Sequence, residues 1–543
     1  MSKIIKLEIK NFHGIKSLSQ DFDKDFVCLV GRCDSGKTTI LDAISYVLSP
    51  SYIIPFYDTD FFNANIENPI EIEATLSDIP ELLQTEDKFG LYKRQYNPVT
   101  KAINDNIEEN QELLDVWTIK LTVDKNLDPK WELIKTIQEP KPITATDRAK
   151  LNCFLVADYV DRHFSWNRGT PLYQLLKSIS PDANSQNIII DALRDVKSQI
   201  DGVGFHHTDK ATSEIKKQAA ILGLDINNAK TSIDFKDIAL KDDKVCLNDA
   251  NNIPFRLRGK GTKRIVSMAI QLALSRQGGI VLIDEIEQGL EPDRIKQIVS
   301  ALKDENKGQI FITTHSREAI VELVVDDLML VKKSDDNESV ALNPLPNRVE
   351  LQKVVRACPE GFFAKKVIVC EGKTEIGICR SLDKWRQRNQ HITSAASKDC
   401  CYVLGEGNTF VERVKEIKSC GFMTCVFLDS DEKVANTQKD TLRDLGIDVF
   451  DWEPGNSIEK QVFKDLPISA IEVLVNQQRG TDIPHITDDS RIVIATRAET
   501  EKWYKQIGKG EALGDVIFEN WDSLKENCQL KIKLKAISDW IDT

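Results

Sequence analysis

Hydrophobic and polar positions alternate from the first residues of the chain. Ile5, Leu7 and Ile9 fall on one face and Lys6, Glu8 and Lys10 on the other, the period-two pattern of a half-buried strand. A short continuous apolar run follows, Phe26 to Val30, and reads as a buried strand. That run ends in Gly31-Arg32-Cys33-Asp34-Ser35-Gly36-Lys37-Thr38, after which Ile40, Leu41, Ile44, Val47 and Leu48 recur at helical spacing. The order is strand, glycine loop, helix.

From about 85 to 245 the chain is polar and helix-prone, broken by Pro and Gly, with no sustained heptad; this predicts an inserted helical lobe, read as a dimerisation element. Near 255 the punctuated pattern returns. Arg258-Gly259-Lys260-Gly261 opens a helix, Gly279 to Ile283 carries a buried strand, and Gln309 to Thr313 is another. A connector with Asn343, Pro344, Pro346 and Asn347 places a boundary near 345–362. Strands and helices alternate again from Lys366, and 465–543 is mostly helical by pattern. The predicted units are 1–85 with the glycine loop, 86–245 as helical insertion, 246–350 completing the first domain, 362–465 as a second α/β core, and 466–543 as its helical extension. No internal repeat or low-complexity tract interrupts them.

Composition narrows the class. A length of 543 residues exceeds one small domain, and 29% charged with 41% hydrophobic residues describes a folded chain, excluding disorder and collagen-like repeats. The net charge of −13 means that nucleic acid would be met through local basic patches or through metal ions held by acids, not through the global field. No stretch approaches the ~18 apolar residues that span a bilayer. The opening MSKIIKLEIKNF alternates where a signal peptide is continuously apolar, so a cytoplasmic protein without a membrane partner is expected. Of twelve Cys, Cys28, Cys370 and Cys425 sit in apolar runs, which suits free thiols in a reducing compartment. Cys420 and Cys425 lie on a strand pattern without a second ligand pair, which argues against structural zinc.

Two constellations carry chemistry. Gly31-x-x-x-x-Gly36-Lys37-Thr38 is the P-loop pattern, whose glycines let successive backbone N–H groups face a phosphate. Lys37 reaches the β- and γ-phosphates, Thr38 offers a hydroxyl to Mg²⁺, and Asp34 and Thr39 complete the loop's nucleotide contacts. The strand Ile280–Ile283 delivers Asp284 and Glu285 to its carboxyl end, where open α/β sheets bind ligands. Asp284 is expected in the Mg²⁺ shell and Glu285 to polarise the attacking water. His315, at the end of the next buried strand, is placed to sense the γ-phosphate.

The second constellation is acidic. Lys366 to Cys370 is a buried strand ending in Glu371-Gly372-Lys373-Thr374-Glu375, and Cys425 to Leu428 is another ending in Asp429-Ser430-Asp431. A parallel arrangement puts both ends on one edge, so four acids converge. Such a cluster of hard oxygen donors calls for Mg²⁺ or Mn²⁺, and two ions there serve a phosphodiester displacement.

The first set resembles the ATP-binding-cassette class that includes SMC and DNA-repair heads, in which a signature loop from a second subunit completes each ATP site. Gly259 and Gly261, in Gly259-Lys260-Gly261-Thr262-Lys263-Arg264, stand where that signature belongs, and Gln288-Gly289-Leu290-Glu291-Pro292 stands at the dimer-contact loop. The long SMC coiled coil has no counterpart. The acidic set resembles the TOPRIM domain of topoisomerases, primases and certain nucleases. A topoisomerase would need a nucleophilic Tyr in a separate cleavage domain, and a primase further modules.

An ABC-type head followed by TOPRIM resembles the OLD (overcoming lysogenization defect) nucleases, which include the Gabija nuclease and retron-associated effectors. That resemblance implies an α/β fold: an ABC-type ATPase head with an inserted helical lobe, then a TOPRIM α/β domain with a helical C-terminal part. It makes Glu459, in Asn456-Ser457-Ile458-Glu459, a further metal-binding acid, and Lys509, in Gly508-Lys509-Gly510-Glu511, a stabiliser of phosphoryl charge. The implied activity is an ATP-regulated DNA endonuclease in antiviral defence. Glu371 or Glu375 positions the nucleophile, Asp429 and Asp431 complete the metal shell, and one Mg²⁺ accompanies ATP. The implied partners are DNA, a second copy in a homodimer or higher oligomer, and a defence-system protein or retron nucleic acid. Two alternatives stay open: an ATP-driven sensor or scaffold, and an RNA-directed nuclease.

Overall fold

In the computed structural model, two β-sheets share the P-loop helix and a third sheet follows in the chain. The structure describes residues 2–51, 54–107, 112–165, 169–179, 195, 199, 208–221, 247–276, 279–305, 308–334, 339–405, 410–430, 436–479, 486–495 and 509–543.

The first sheet is antiparallel and eight-stranded. Lys3–Phe12 lies between Ile15–Asp21 and Ile70–Ser77, which continues to Leu114–Val123. Leu114–Val123 pairs in turn with Arg94–Tyr96 and with Pro129–Lys135. The register shifts between Ile4 and Lys6, so Ile4 joins Leu7 and Ile9 in the main core. Ile5, expected beside Leu7 and Ile9, instead packs with Tyr96 and Val116 in a small separate cluster.

This sheet corrects the helical insertion predicted for 86–245. Residues 94–142 contribute five strands, because Val116 and Trp117 begin a stretch in which Ile119, Leu121 and Val123 point inward and Thr122 and Lys120 outward. Lys120 pairs across the strands with Glu71 at 2.6 Å and Glu73 at 3.2 Å, a charge ladder that gives the segment its polar appearance. The α-helices among the described residues of the remainder are Ala145–Ala149, Pro171–Ile179 and Asp209–Ile221. Most of 180–246, where the dimerisation element was expected, lies outside the described residues.

The second sheet has six strands in the order Cys153–Val156, Ile280–Ile283, Gln309–Thr313, Phe26–Val30, Leu328–Lys333 and Val340–Pro344. The first five run parallel, and the last returns as an antiparallel hairpin. Its central strands are buried on both faces and therefore read as continuous apolar runs. The helix Lys37–Val47 buries Ile40, Leu41, Ile44 and Val47 in the core shared with the first sheet. Fully buried Gln309 ties the two sheets: its Oε1 accepts from Ile4 N at 2.7 Å and its Nε2 donates to Ile4 O at 3.1 Å.

The connector expected at 345–362 is an integral core element. Its helix Val349–Ala357 inserts Leu351, Val354 and Val355 into one cluster holding Ile283 and Ile312 of the second sheet and Val367, Val403 and Val426 of the third. The third sheet is four-stranded and parallel, ordered Cys400–Leu404, Lys366–Cys370, Met423–Phe427, Asp448–Phe450. The helices Ile458–Asp465, Ile468–Arg479, Lys509–Glu519 and Gln529–Asp542 bury a further core against Ile368, Cys370 and Phe427.

Glycine sets one close crossing here. A Cβ at Gly377, on the helix Lys373–Asn389, would lie 2.4 Å from Glu511 N, and one at Gly510 would lie 2.3 Å from Thr374 O. Backbone therefore meets backbone where the two helices cross. Gly377→Ala is expected to lower stability by about 1–3 kcal/mol through overpacking, read as a fall in the thermal unfolding midpoint of the third-sheet unit.

Candidate nucleotide and metal sites

The P-loop turns at Gly36, whose φ of 103° favours a residue without Cβ. Asp34 also takes a left-handed backbone, φ 58°. Lys37 is buried and folded back on the loop: its Nζ donates to Gly31 O at 3.0 Å, Arg32 O at 2.7 Å and Ser35 Oγ at 3.4 Å. Burial lowers its pKa, against the pull of Asp284, Glu285 and Glu287.

The parallel strands bring the Asp284 edge to this loop. Thr38 Oγ1 lies 3.1 Å from both Asp284 oxygens, and Thr313 Oγ1 donates to Asp284 Oδ1 at 2.6 Å. A hydroxyl and a carboxylate across so short a gap are the donor set that Mg²⁺ needs beside a nucleotide, so these residues fit the ion. Glu285 sits next to them in left-handed backbone, φ 45°, held by Thr313 Oγ1 on its N–H at 2.7 Å. Burial, then Asp284 and Glu287, raise its pKa, which moves a carboxylate toward the range of a general base. His315 N and Thr314 Oγ1 donate to Glu287, at 2.6 and 2.7 Å. Burial, reinforced by Lys37, lowers the His315 pKa and favours the neutral ring, against the pull of Glu287 and Asp284.

Gly259 caps the helix Lys260–Ser275, and a Cβ there would meet nothing within 4 Å. A Cβ at Gly261 would fall 2.5 Å from Gly289 O, so the proposed signature packs on the Gln288-Gly289-Leu290 loop of its own chain. Thr39 lies half-buried in the first turn of the P-loop helix.

Several residues here escaped the sequence reading. Arg264 is buried and links the helix Lys260–Ser275 to the Asp284 edge: it donates to Glu285 O at 2.9 Å, Asp284 O, Ala157 O at 3.0 Å and Gln288 Oε1 at 2.9 Å. Asp158, at the end of the neighbouring strand, accepts from Gln288 Nε2. Asp42 follows Thr38 by one helical turn, and that i, i+4 spacing was its only signal. Burial, then Asp284, push its pKa up to about 7. The folded metal-free protein thus holds a proton that the unfolded chain releases near pH 4. The resulting stabilisation is full below the unfolded pKa and is lost as pH rises through about 7. Asp42→Asn is expected to flatten the fall in melting temperature between pH 5 and pH 8.

The acidic residues gather at the carboxyl edge of the third sheet. Glu371 Oε2 accepts from Asp429 N at 3.0 Å, joining the two neighbouring strand ends. Asp429 Oδ1 accepts from Ile458 N at 2.8 Å, which brings the first turn carrying buried Glu459 to the same edge. Glu375 is buried and caps its own helix, accepting from Gly372 N at 2.8 Å. Behind them, buried Lys439 donates to Asp429 O at 3.1 Å, Ser430 Oγ at 3.3 Å and Asp451 at 3.2 Å, a positioning residue that the sequence reading missed. Lys509 opens the helix whose Gly510 touches Thr374, three residues after Glu371. Asp431 and the Lys509 side chain lie outside the described residues.

The donor chemistry at this edge suits Mg²⁺ or Mn²⁺. Among the described residues, however, the acids do not form a cluster of three or more groups placed to hold one ion. Instead, Glu371, Glu375 and Asp429 each accept from a backbone N–H.

The AAA ATPase domain family matches residues 2–320, which include the P-loop, the Asp284–Glu285 edge and His315. The chain belongs to this family. Membership implies an ATPase domain that uses a nucleotide and Mg²⁺, and residues beyond 320 lie outside the matched span. The chain is also similar to the chromosome partition protein Smc of Methanocaldococcus jannaschii, 48% identical over 48 residues. Those residues are 9% of this chain and 4% of that relative's length. Among solved structures, an Smc head bound to the C-terminal winged-helix domain of ScpA is 17% identical, covering 63% of this chain and 98% of its own, with TM-score 0.35. The Pyrococcus furiosus Smc head with an extended coiled coil, bound to the C-terminal domain of ScpA, is 17% identical over 66% of this chain and 100% of its own, TM-score 0.35. The Thermotoga maritima SMC head is 15% identical over 63% and 99%, TM-score 0.29. No described helix is long and apolar enough to cross a membrane.

Proposed function

We propose that the chain is an ATP-regulated, Mg²⁺- or Mn²⁺-dependent DNA endonuclease of the OLD type, acting as a homodimer or higher oligomer in the cytoplasm, in antiviral defence. The observation that carries this reading is the 3.0 Å bond from Asp429 N to Glu371 Oε2, which unites two acidic strand ends at one sheet edge. In domain terms, 1–350 forms the ATPase head and 362–543 a TOPRIM core with its helical extension.

At the head, Lys37 would leave the loop carbonyls for the phosphates, while Thr38 and Asp284 would hold Mg²⁺. Glu285 would take a proton from water, and His315 would read the γ-phosphate as a neutral ring. At the second site Glu371, Glu375, Asp429, Asp431 and Glu459 would hold the ions, and Lys509 would face the phosphate. Bound there, two divalent ions supply an activated water and charge neutralisation at the leaving oxygen. The protein's own part is to fix the acids, with Lys439 bracing the Asp429 turn from behind.

One observation favours the second reading, an ATP-driven scaffold for a partner protein or retron nucleic acid: three of the acids are engaged by backbone N–H groups. Incubating supercoiled plasmid with the protein and Mg²⁺ or Mn²⁺, with and without ATP, separates the two. Nicked or linear product is the expected result. Intact plasmid in every lane, with ATP still bound, would remove the DNA-nuclease reading, and parallel lanes with structured RNA would identify the RNA-directed alternative.

A further inference from the structure

The P-loop touches the third-sheet unit directly through Arg32, a position that the glycine pattern leaves open. Arg32 Nε pairs with Asp399 Oδ1 at 2.6 Å, and Arg32 Nη2 donates to Ala396 O at 2.6 Å. Nothing in phosphate binding requires arginine there, since the loop cradles phosphate with backbone N–H groups.

Asp399 is a hub. Its backbone is left-handed, φ 58°, immediately before the strand Cys400–Leu404. Its carbonyl accepts from Lys365 N at 2.9 Å and Lys366 N at 3.0 Å, and its carboxylate also takes Lys365 Nζ at 3.3 Å. It therefore pins the starts of two parallel neighbours, Cys400–Leu404 and Lys366–Cys370, the second of which delivers Glu371.

Arg32 is committed at its other end too. Its carbonyl accepts from Lys37 Nζ at 2.7 Å, the amine that a nucleotide's phosphates would claim. A cleft of about 570 Å³, lined by Arg32, Cys33 and Asp34 on one side and Lys365, Asp399 and Met423 on the other, leaves the loop room to shift. The ion pair is partly exposed, its side chains 35% and 26% accessible, a setting in which such pairs add little to stability.

We infer that the Arg32–Asp399 pair couples nucleotide occupancy of the P-loop to the strand that carries Glu371. Without nucleotide, Lys37 anchors the Arg32 carbonyl and the guanidinium holds Asp399. With nucleotide, Lys37 turns to the phosphates, the Arg32 peptide loses that anchor, and the grip on Asp399 loosens. The two states thus differ in a defined contact, which is what a ligand needs to shift an equilibrium. The inference deepens the proposed function, and only its cleavage readout rests on that reading.

The test is hydrogen exchange of the full chain with and without ATP and Mg²⁺, followed in peptides spanning 396–405 and 366–371. In wild type, nucleotide is expected to speed exchange of both segments about fivefold or more. Asp399→Gly removes the carboxylate that Arg32 holds and tolerates the left-handed backbone, so the fold is retained. It is expected to bind ATP with an affinity within about threefold of wild type, while exchange of the two segments is already fast and no longer responds. Arg32→Gln, altering the other end, is expected to do the same. Wild-type segments indifferent to nucleotide, or a full wild-type response in both variants, would overturn the inference. If the protein cuts plasmid, Asp399→Gly should retain basal cutting and lose its dependence on ATP. If wild type does not cut, the nuclease reading fails while the exchange result still decides the coupling.

Discussion

Glu285→Gln should slow ATP hydrolysis by about 10²–10⁴-fold while ATP remains bound, the loss expected when a general base is removed. The geometry keeps the amide in place. Thr313 Oγ1 holds the residue's N–H at 2.7 Å, and Arg264 holds its carbonyl at 2.9 Å, so backbone contacts set its position whatever the side chain. Thr38 and Asp284, the proposed Mg²⁺ donors, are untouched, which is why nucleotide affinity should survive. Phosphate release and fluorescent-nucleotide titration measure the two effects separately. Hydrolysis within about threefold of wild type would move the base to Glu287 or Asp158, the other acids that raise the Glu285 pKa alongside Asp284.

Glu371→Gln and Asp429→Asn should each reduce plasmid cleavage on the order of 10²–10³-fold, the cost of several kcal/mol of lost charge stabilisation at a metal site. Amides are the informative replacements. Asp429 Oδ1 accepts from Ile458 N at 2.8 Å, and Glu371 Oε2 accepts from Asp429 N at 3.0 Å. An amide oxygen preserves both bonds, so the strand ends stay joined while the charge is removed. Unfolding midpoints close to wild type, with cleavage lost and not restored by excess Mn²⁺, are the expected pattern. Undiminished cleavage in both variants would exclude these acids as ligands.

Local sequence was a good guide where one strand and one loop sufficed. The Phe26–Val30 strand, the glycine loop and the helix beginning at Lys37 form as the apolar run and the helical spacing predict. The segment 94–142 misled because its outward residues are charged and pair across strands, as Lys120 does with Glu71 and Glu73. Such a strand looks polar until its partners are known. Ile5 misled for a smaller reason, a register shift that turns one residue to the opposite face.

At the sites, the residues visible in sequence are those attached to a strand end or a glycine turn: Lys37, Thr38, Asp284, Glu371 and Asp429. The groups that hold them arrive from elsewhere in the chain and carry no local mark. Arg264 reaches the Asp284 edge from the helix Lys260–Ser275, Lys439 reaches the Asp429 turn from the helix Asn436–Asp444, and Asp399 meets the P-loop across 367 residues of chain. Charged side chains on amphipathic helices look alike in sequence, whether they end in solvent or on a buried carbonyl.

The sequence alone thus determined the nucleotide-binding loop, the acidic strand ends and the parallel order that sends those ends to a common edge. These follow from chain periodicity and from the few residue types able to face phosphate or a divalent ion. Only the tertiary structure decided that a core helix joins the two units, that Gly377 and Gly510 let two helices cross at backbone contact, and that Arg32 grips Asp399. Each depends on residues distant in the chain meeting at atomic distance, which is set by packing and not by any local pattern.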